Sequence, residues 1–325
     1  MRISLVVPVY NIDDYIETCL ESVAAQSYSD FEVVMVDDGS TDSSGDICRK
    51  WADRDRRFRI ITKSNGGLSS ARNCGIDDSK GEFITFIDGD DAVHPYYLET
   101  MIENVRREYS IVGVGIERFR HELPIVSHTV TRKYHFLPND AFKDMLYQSG
   151  VMINSAWGKL YRRELIEGIR FKEGILYEDL EWMARVLERM PKSKRICMCD
   201  APLYFYRKRE GSLIETFSER RMDVLDVTRE IEQRAFERGD RQILKATRDR
   251  RLSANFDMFF QMCAESGKKY EREIDRCWAE IRRLRLESLF NRHVRMKNKA
   301  GVLLSFLGKE ISGFVGSRLA GRLKS

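Results

Sequence analysis

The chain has 325 residues, of which 42% are hydrophobic and 33% charged, with a net charge of +4. That profile fits a water-facing globular protein with one large core and a smaller appended one, and no window of about 18 apolar residues suggests a bilayer span. The seven cysteines show neither zinc nor redox spacing, which predicts reduced thiols in a cytoplasmic protein.

The opening MRISLVVPVYN reads as a first strand, because Pro8, Tyr10 and Asn11 stand where a signal peptide would need small residues. Further strands are predicted over Phe31–Val36, Phe58–Thr62 and Phe83–Ile87, with amphipathic stretches Asp14–Ala25, Ser43–Asp53 and Leu68–Ser79 between them. This alternation predicts an α/β fold with a mostly parallel central sheet flanked by helices, its strand ends and following loops on one edge. The loops PVYN, DDGSTD, SNGGLSSARN and DGDD would converge there. Neither a dinucleotide fingerprint nor a P-loop follows the first strand.

Two β-like runs, 110–119 and 123–136, lead to a helix over Pro138–Tyr147. A second helix is predicted over Glu178–Arg189, then strand-like RICMCD and LYFYRK; beyond Phe217 long charged helices run to about Phe290.

Each polar motif has a plain and a chemical reading. DGDD, residues 88–91, is either a turn or a set of hard oxygen ligands for Mg²⁺ or Mn²⁺ beside a diphosphate. Asp38 either belongs to a capping loop or accepts an N–H from a nucleobase. Asn65, Gly66 and Gly67 make a turn, while Arg72 near the following helix entry favours a bound anion. Glu178 and Asp179 fall at a helix start, where carboxylates complement the dipole. Trp157 and Lys159, and Arg207, Arg209 and Ser212, are weaker candidates for contact with a phosphate-bearing ligand.

Taken in order, VVPVYN, VDDGSTDSS, NGGLSSARNCGI and FIDGDD resemble family 2 glycosyltransferases of the GT-A fold, which build bacterial surface polysaccharides. The resemblance is specific over 1–100, thinner over 150–215 and absent beyond. It implies an inverting transferase using a nucleotide sugar, usually a UDP-sugar, with DGD as its D-x-D metal motif. It would place Pro8, Tyr10 and Asp38 at the base and ribose, Gly67 and Arg72 beside the donor, and Asp88 and Asp90 at the metal. Asp179 would be the general base, and the role of Asp91 stays open. The implied organisation is a 1–215 transferase domain, with a 1–110 nucleotide-sugar half and a 111–215 acceptor half, followed by a helical region over 216–325.

From Arg282 to Ser325 eleven Lys or Arg face two Glu, so the tail is basic while the remainder is slightly acidic. Leu304, Leu307, Ile311, Phe314 or Val315, Leu319 and Leu323 fall on one face of a helix expected over 300–325. A cationic amphipathic helix of this kind fits an anionic membrane, placing the enzyme on the cytoplasmic face next to a glycan or lipid-linked acceptor. A helix packed on the protein or on a second subunit is the alternative, and no nucleic-acid module accompanies the charge. Two rival functions remain at this point, a nucleotidyltransferase and an inactive membrane-bound scaffold.

Overall fold

The computed structural model describes residues 2–209, 217–265 and 269–322. Two compact units emerge, Met1–Ala141 with Asn154–Glu210, and Phe142–Ile153 with Gly211–Ser325.

The first unit runs β1 (Ile3–Val9), α1 (Asp13–Ala24), β2 (Phe31–Asp37), α2 (Ser44–Arg54), β3 (Phe58–Thr62), α3 (Leu68–Asp78) and β4 (Phe83–Phe86). It continues with β5 (Ala92–Val93), α4 (Tyr97–Glu103), β6 (Tyr109–Phe119), β7 (Lys133–Phe136), the start of α5 (Pro138–Tyr147), β8 (Lys159–Arg162), α6 (Arg163–Ile166), α7 (Glu178–Arg189) and β9 (Arg195–Arg207). The strands form one sheet in the order β3-β2-β1-β4-β8-β6-β9-β5, with β7 beside β9. β1 and β2 are buried along their whole length, which is why they read as unbroken apolar runs rather than alternating ones.

β3, β2, β1 and β4 are parallel, as expected. Beyond them the sheet is mixed. β8 slots between β4 and β6, both of which run the other way, so it pairs antiparallel with each. RICMCD and LYFYRK are one continuous strand, β9, and of the run 123–136 only Lys133–Phe136 joins the sheet.

Side chains alternate across β1. Ile3, Leu5, Val7 and Val9 join a core with Ile16, Leu20 and Val23 of α1 and Leu98 and Met101 of α4. Val6 points to the other face, against Gly75 of α3, where an added Cβ would come within 2.2 Å of its Cγ1. Phe86, paired with Val6 in register, meets Trp182 of α7 edge-on, with centroids 5.7 Å apart. Thus α3 and α7 cover the same sheet face, and that brings their N-terminal turns together.

The second unit includes α8 (Asp223–Glu237), α9 (Arg241–Glu265), α10 (Glu271–Leu289), α11 (Met296–Ser305) and α12 (Lys309–Arg322), after a 3₁₀ turn over Glu219–Met222. Residues 142–153 group with this unit. Lys143 donates to Gln242, and the Tyr147 hydroxyl accepts from Asn291 at 2.9 Å. The helix expected over 300–325 is two helices, separated by a turn in which Gly308 adopts φ +99°. On α12 the small residues Ser312, Gly313 and Gly316 face inward, with Gly313 and Gly316 against Cys263 and Phe260, while Ile311 and Phe314 point to solvent. Leu323 lies outside the described residues, as does the side chain of Leu319.

Candidate active site

The carboxyl ends of β1, β2 and β4 open onto one rim, the usual ligand edge of such sheets. On β1, the Val6 carbonyl accepts from Ile87 N–H, so Pro8, two residues on, turns its missing N–H to the β4 side beyond the last paired residue, Phe86. The ladder therefore loses nothing at Pro8. Tyr10, 48% exposed, stands on the rim. Asn11 ties this loop to the next by accepting from Thr41 N–H at 2.9 Å.

Asp37 and Asp38 leave β2. Asp37 accepts from Ser40 N–H at 2.9 Å and closes the turn through Gly39, whose φ of +75° suits a residue without a side chain. Asp38 is 2% exposed. It accepts from Lys63 Nζ at 2.6 Å, from Gly66 N–H at 3.1 Å and from Gly67 N–H at 2.7 Å. Gly66 N–H is shared between both oxygens, so the three donors make four contacts, about the number a carboxylate accepts. Asp38 thereby staples the 63–67 turn. Gly67, at φ +86°, then starts α3.

After β4 the chain enters DGDD. An added Cβ on Gly89 would lie 2.5 Å from Ile12 Cδ1 and 3.0 Å from the Pro8 carbonyl, so the glycine lets the turn sit against β1. Asp91, whose role the sequence left open, points inward, accepting from the Tyr204 hydroxyl at 2.6 Å and from Arg207 N–H at 2.8 Å. Asp88 and Asp90 remain nearer the surface. Asp90 pairs with Arg209 at 2.9 Å. Burial, then the charge of Asp88, pushes the Asp90 carboxyl above the ordinary carboxylate range.

Arg72, in the second turn of α3, is 1% exposed. Its Nη2 meets Asp88 at 2.7 Å; its Nη1 meets Asp179 at 2.7 Å and Glu178 at 3.1 Å. It is a buried hub for three carboxylates. Burial opposes its charge, but Asp179, Asp88 and Glu178 outweigh it and hold the pKa above the ordinary value. One cation cannot balance three anions. Burial, then the charge of Asp179, raises Glu178 to about 7; burial also raises Asp179 despite the opposing charge of Arg72.

The second oxygen of Asp179 accepts from Ala156 N–H at 3.2 Å. The Trp157 ring stacks on Tyr204, with centroids 4.3 Å apart, and the Tyr204 hydroxyl accepts from Asp88 N–H at 3.2 Å. One loop thus touches the Asp179 carboxylate directly and reaches the backbone of Asp88 through Tyr204. Lys159 does not face the rim: it is 1% exposed and turned back on that loop. Arg207 is also buried, donating to the Asp90 carbonyl at 2.8 Å and lying over the Phe119 ring. Ser212 lies outside the described residues. The sequence reading missed Tyr204, which passes for an ordinary strand aromatic.

Asp88 and Asp90, one residue apart at a strand end, are hard oxygen donors that suit a divalent cation sharing its shell with phosphate oxygens and water. Among the described residues no group of three or more His, Cys, Asp or Glu is arranged as a self-sufficient metal cage.

A parallel half-sheet whose rim carries a D-x-D turn, facing an acidic helix start, belongs to the GT-A fold. The model of the family described as "Glycosyl transferase family 2" matches residues 4–170, and the chain belongs to that family. It is similar to the "Glycosyltransferase GlyA" of Streptococcus pneumoniae, 35% identical over 69% of this chain and 33% of that one. The "Uncharacterized glycosyltransferase EpsJ" of Bacillus subtilis is 35% identical over 66% of this chain and 63% of that one. The chain thus spans less than two thirds of either relative. Among solved structures, S. aureus TarS 1–349 in complex with UDP-GlcNAc aligns over 98% of this chain and 90% of that one, with a TM-score of 0.72 and 21% identity, a likeness of fold.

Proposed function

We propose that the protein is an inverting, metal-dependent glycosyltransferase that moves a sugar from a nucleotide sugar to a hydroxyl of a glycan or lipid-linked acceptor in surface-polysaccharide synthesis. The observation that carries this reading is the bridge through Arg72, which puts Asp88 of the D-x-D turn and Asp179 of α7 on one guanidinium. Transfer needs those two elements side by side, one for the departing diphosphate and one for the incoming hydroxyl.

Asp179 takes the proton as the acceptor oxygen attacks the anomeric carbon, and the bond to the diphosphate breaks on the opposite face. Its raised pKa makes it a stronger base than a surface carboxylate, and such proton transfer contributes typically 10² to 10⁴ in rate. Asp88 and Asp90 would hold Mn²⁺ or Mg²⁺, which when bound supplies positive charge for the leaving diphosphate. Tyr10 and Pro8 border the base and ribose pocket, and Asp38 shapes it by fixing Gly66 and Gly67. The UDP-GlcNAc held by TarS favours uridine as the nucleotide. A panel of nucleotide sugars with Mn²⁺ or EDTA tests the whole reading: metal-dependent release of UDP with an inverted product supports it, and metal-independent transfer refutes its metal-dependent form.

For the acceptor side, the described residues contain no helix long and apolar enough to cross a membrane. The second unit nonetheless exposes Phe290, Met296, Leu303, Phe306, Ile311 and Phe314 among many basic side chains, which suits an anionic lipid surface at the cytoplasmic face. Cosedimentation with anionic vesicles but not neutral ones is the expected outcome, and equal recovery with both would remove this part.

A further inference from the structure

Lys159 opens β8 from inside the protein. A buried ammonium is costly to keep, and a Met or Leu of similar length would fill the space without that cost. Burial, only partly offset by the charge of Asp179, lowers its pKa to about 7.

What the amine does is visible in its hydrogen bonds, all of which run back to the preceding loop. Nζ donates to the Ser155 carbonyl at 2.8 Å, to Ser155 Oγ at 3.3 Å and to the Trp157 carbonyl at 3.5 Å. The Tyr161 hydroxyl, next on the same strand face, lies 2.9 Å from the Ala156 carbonyl and 3.2 Å from Met183 Sδ. Two side chains of β8 therefore hold the carbonyl groups of three consecutive residues. The loop closes through Gly158 at φ +73°, whose own carbonyl accepts from Val114 N–H of β6 at 3.1 Å. Held this way, the loop's free donor, Ala156 N–H, is aimed at Asp179 Oδ2.

We propose that Lys159 is a positioning residue for the transfer step, fixing the Ser155–Gly158 turn so that Ala156 N–H holds the Asp179 carboxylate in its reactive orientation. The inference rests on Asp179 being the base. Without the turn, Asp179 keeps Arg72 on one oxygen but loses its second anchor and rotates. Misplacement on this scale costs the chemical step about ten- to a hundredfold, while the nucleotide, on the opposite side of the reacting carbon, is bound as before.

The test uses the full chain carrying Lys159→Met and Tyr161→Phe, alone and combined, with kcat, acceptor KM, UDP affinity in Mn²⁺ and Tm measured for each. The expected result is a kcat lower by about tenfold or more in each single variant, with UDP affinity within about twofold of wild type. The double variant should be little worse than the stronger single one, because both act through the same turn. Unchanged kcat in the folded variants overturns the proposal, as does a parallel loss of kcat and UDP affinity, the mark of a general structural role. If Lys159→Met does not fold, Tyr161→Phe, which removes only a hydroxyl, decides on the same criteria. Asp179→Asn measured alongside separates the two readings. Full activity there removes the base itself, whereas an inactive Asp179→Asn beside normal Lys159→Met and Tyr161→Phe removes only the positioning role.

Discussion

Two buried ionic clusters in this molecule are near mirror images, and they do opposite things. In the first unit a single Arg72 faces Asp88, Glu178 and Asp179. In the second, a single Glu232 faces Arg248, Arg251 and Arg283. The helical cluster is balanced by two more acids, since Glu287 meets Arg248 at 2.9 Å and Glu280 meets Arg251 and Arg283 at 3.0 Å. Burial works against the charge of Glu232, yet the bonds from Arg251 and Arg248 prevail and its pKa falls below the ordinary value. Around Arg72, among the described residues, no second cation forms an ion pair with the set, Lys159 acting on Asp179 only weakly, and Glu178 and Asp179 rise instead. A balanced network holds helices together. An unbalanced one raises its carboxyl pKa values and holds protons more tightly, which is a feature shared with sites that exchange them.

Removing one acid from each cluster sharpens that contrast. Asp179→Asn should lower kcat by about 10² to 10⁴ while UDP affinity in Mn²⁺ stays within about twofold; steady-state kinetics beside calorimetry would show it, and normal turnover would end the claim for Asp179. Glu232→Gln should do the reverse. It leaves three arginines without their common partner and should cost about 2 kcal/mol of stability, discounted because Arg248 and Arg283 are partly exposed, with kcat of the folded protein unchanged.

The smallest expected effect is on pH dependence. Glu178 titrates near 7 in the folded protein and near 4.5 when unfolded, so the native state keeps a proton that the unfolded chain releases. Its contribution is full below about pH 4.5 and is lost as pH rises through 7. Glu178→Gln should therefore gain Tm relative to wild type between pH 5 and pH 8, by roughly 2 °C in nucleotide-free protein. A constant difference across that range would show that Glu178 is not held protonated.

How much of this was readable in advance depends on the kind of signal. β1, β2 and β4 were legible because strands buried on both faces need unbroken apolar runs, and α7 because Leu180, Met183, Ala184 and Leu187 recur at helical spacing. β8 was not, because its four residues KLYR carry a charge at each end, and the lysine is turned inward onto the preceding loop. The basic, apolar C-terminal pattern was visible, but not the break at Gly308 or the glycine and serine face that turns Ile311 and Phe314 outward. At the site, the motifs identified the carboxylates. Their partners could not be read, because Arg72 reaches residues 16 and 107 positions away, separations set by the packing of α3 beside α7. Asp38 shows the same limit: its contacts with Lys63 and two glycine N–H groups come from the turn that packs beside it, and no residue pattern announces them.

The central claim, that DGDD is a cation site shared with a nucleotide diphosphate, is tested most directly by titrating UDP into the protein calorimetrically, with Mn²⁺ and with EDTA, in wild type and in Asp90→Asn. The account predicts at least about tenfold tighter binding with Mn²⁺ in wild type and no such gain in the variant, since Asp90 is a hard oxygen donor that Asn replaces poorly. Equal UDP affinity with and without metal, or a full Mn²⁺ effect in Asp90→Asn, would contradict it.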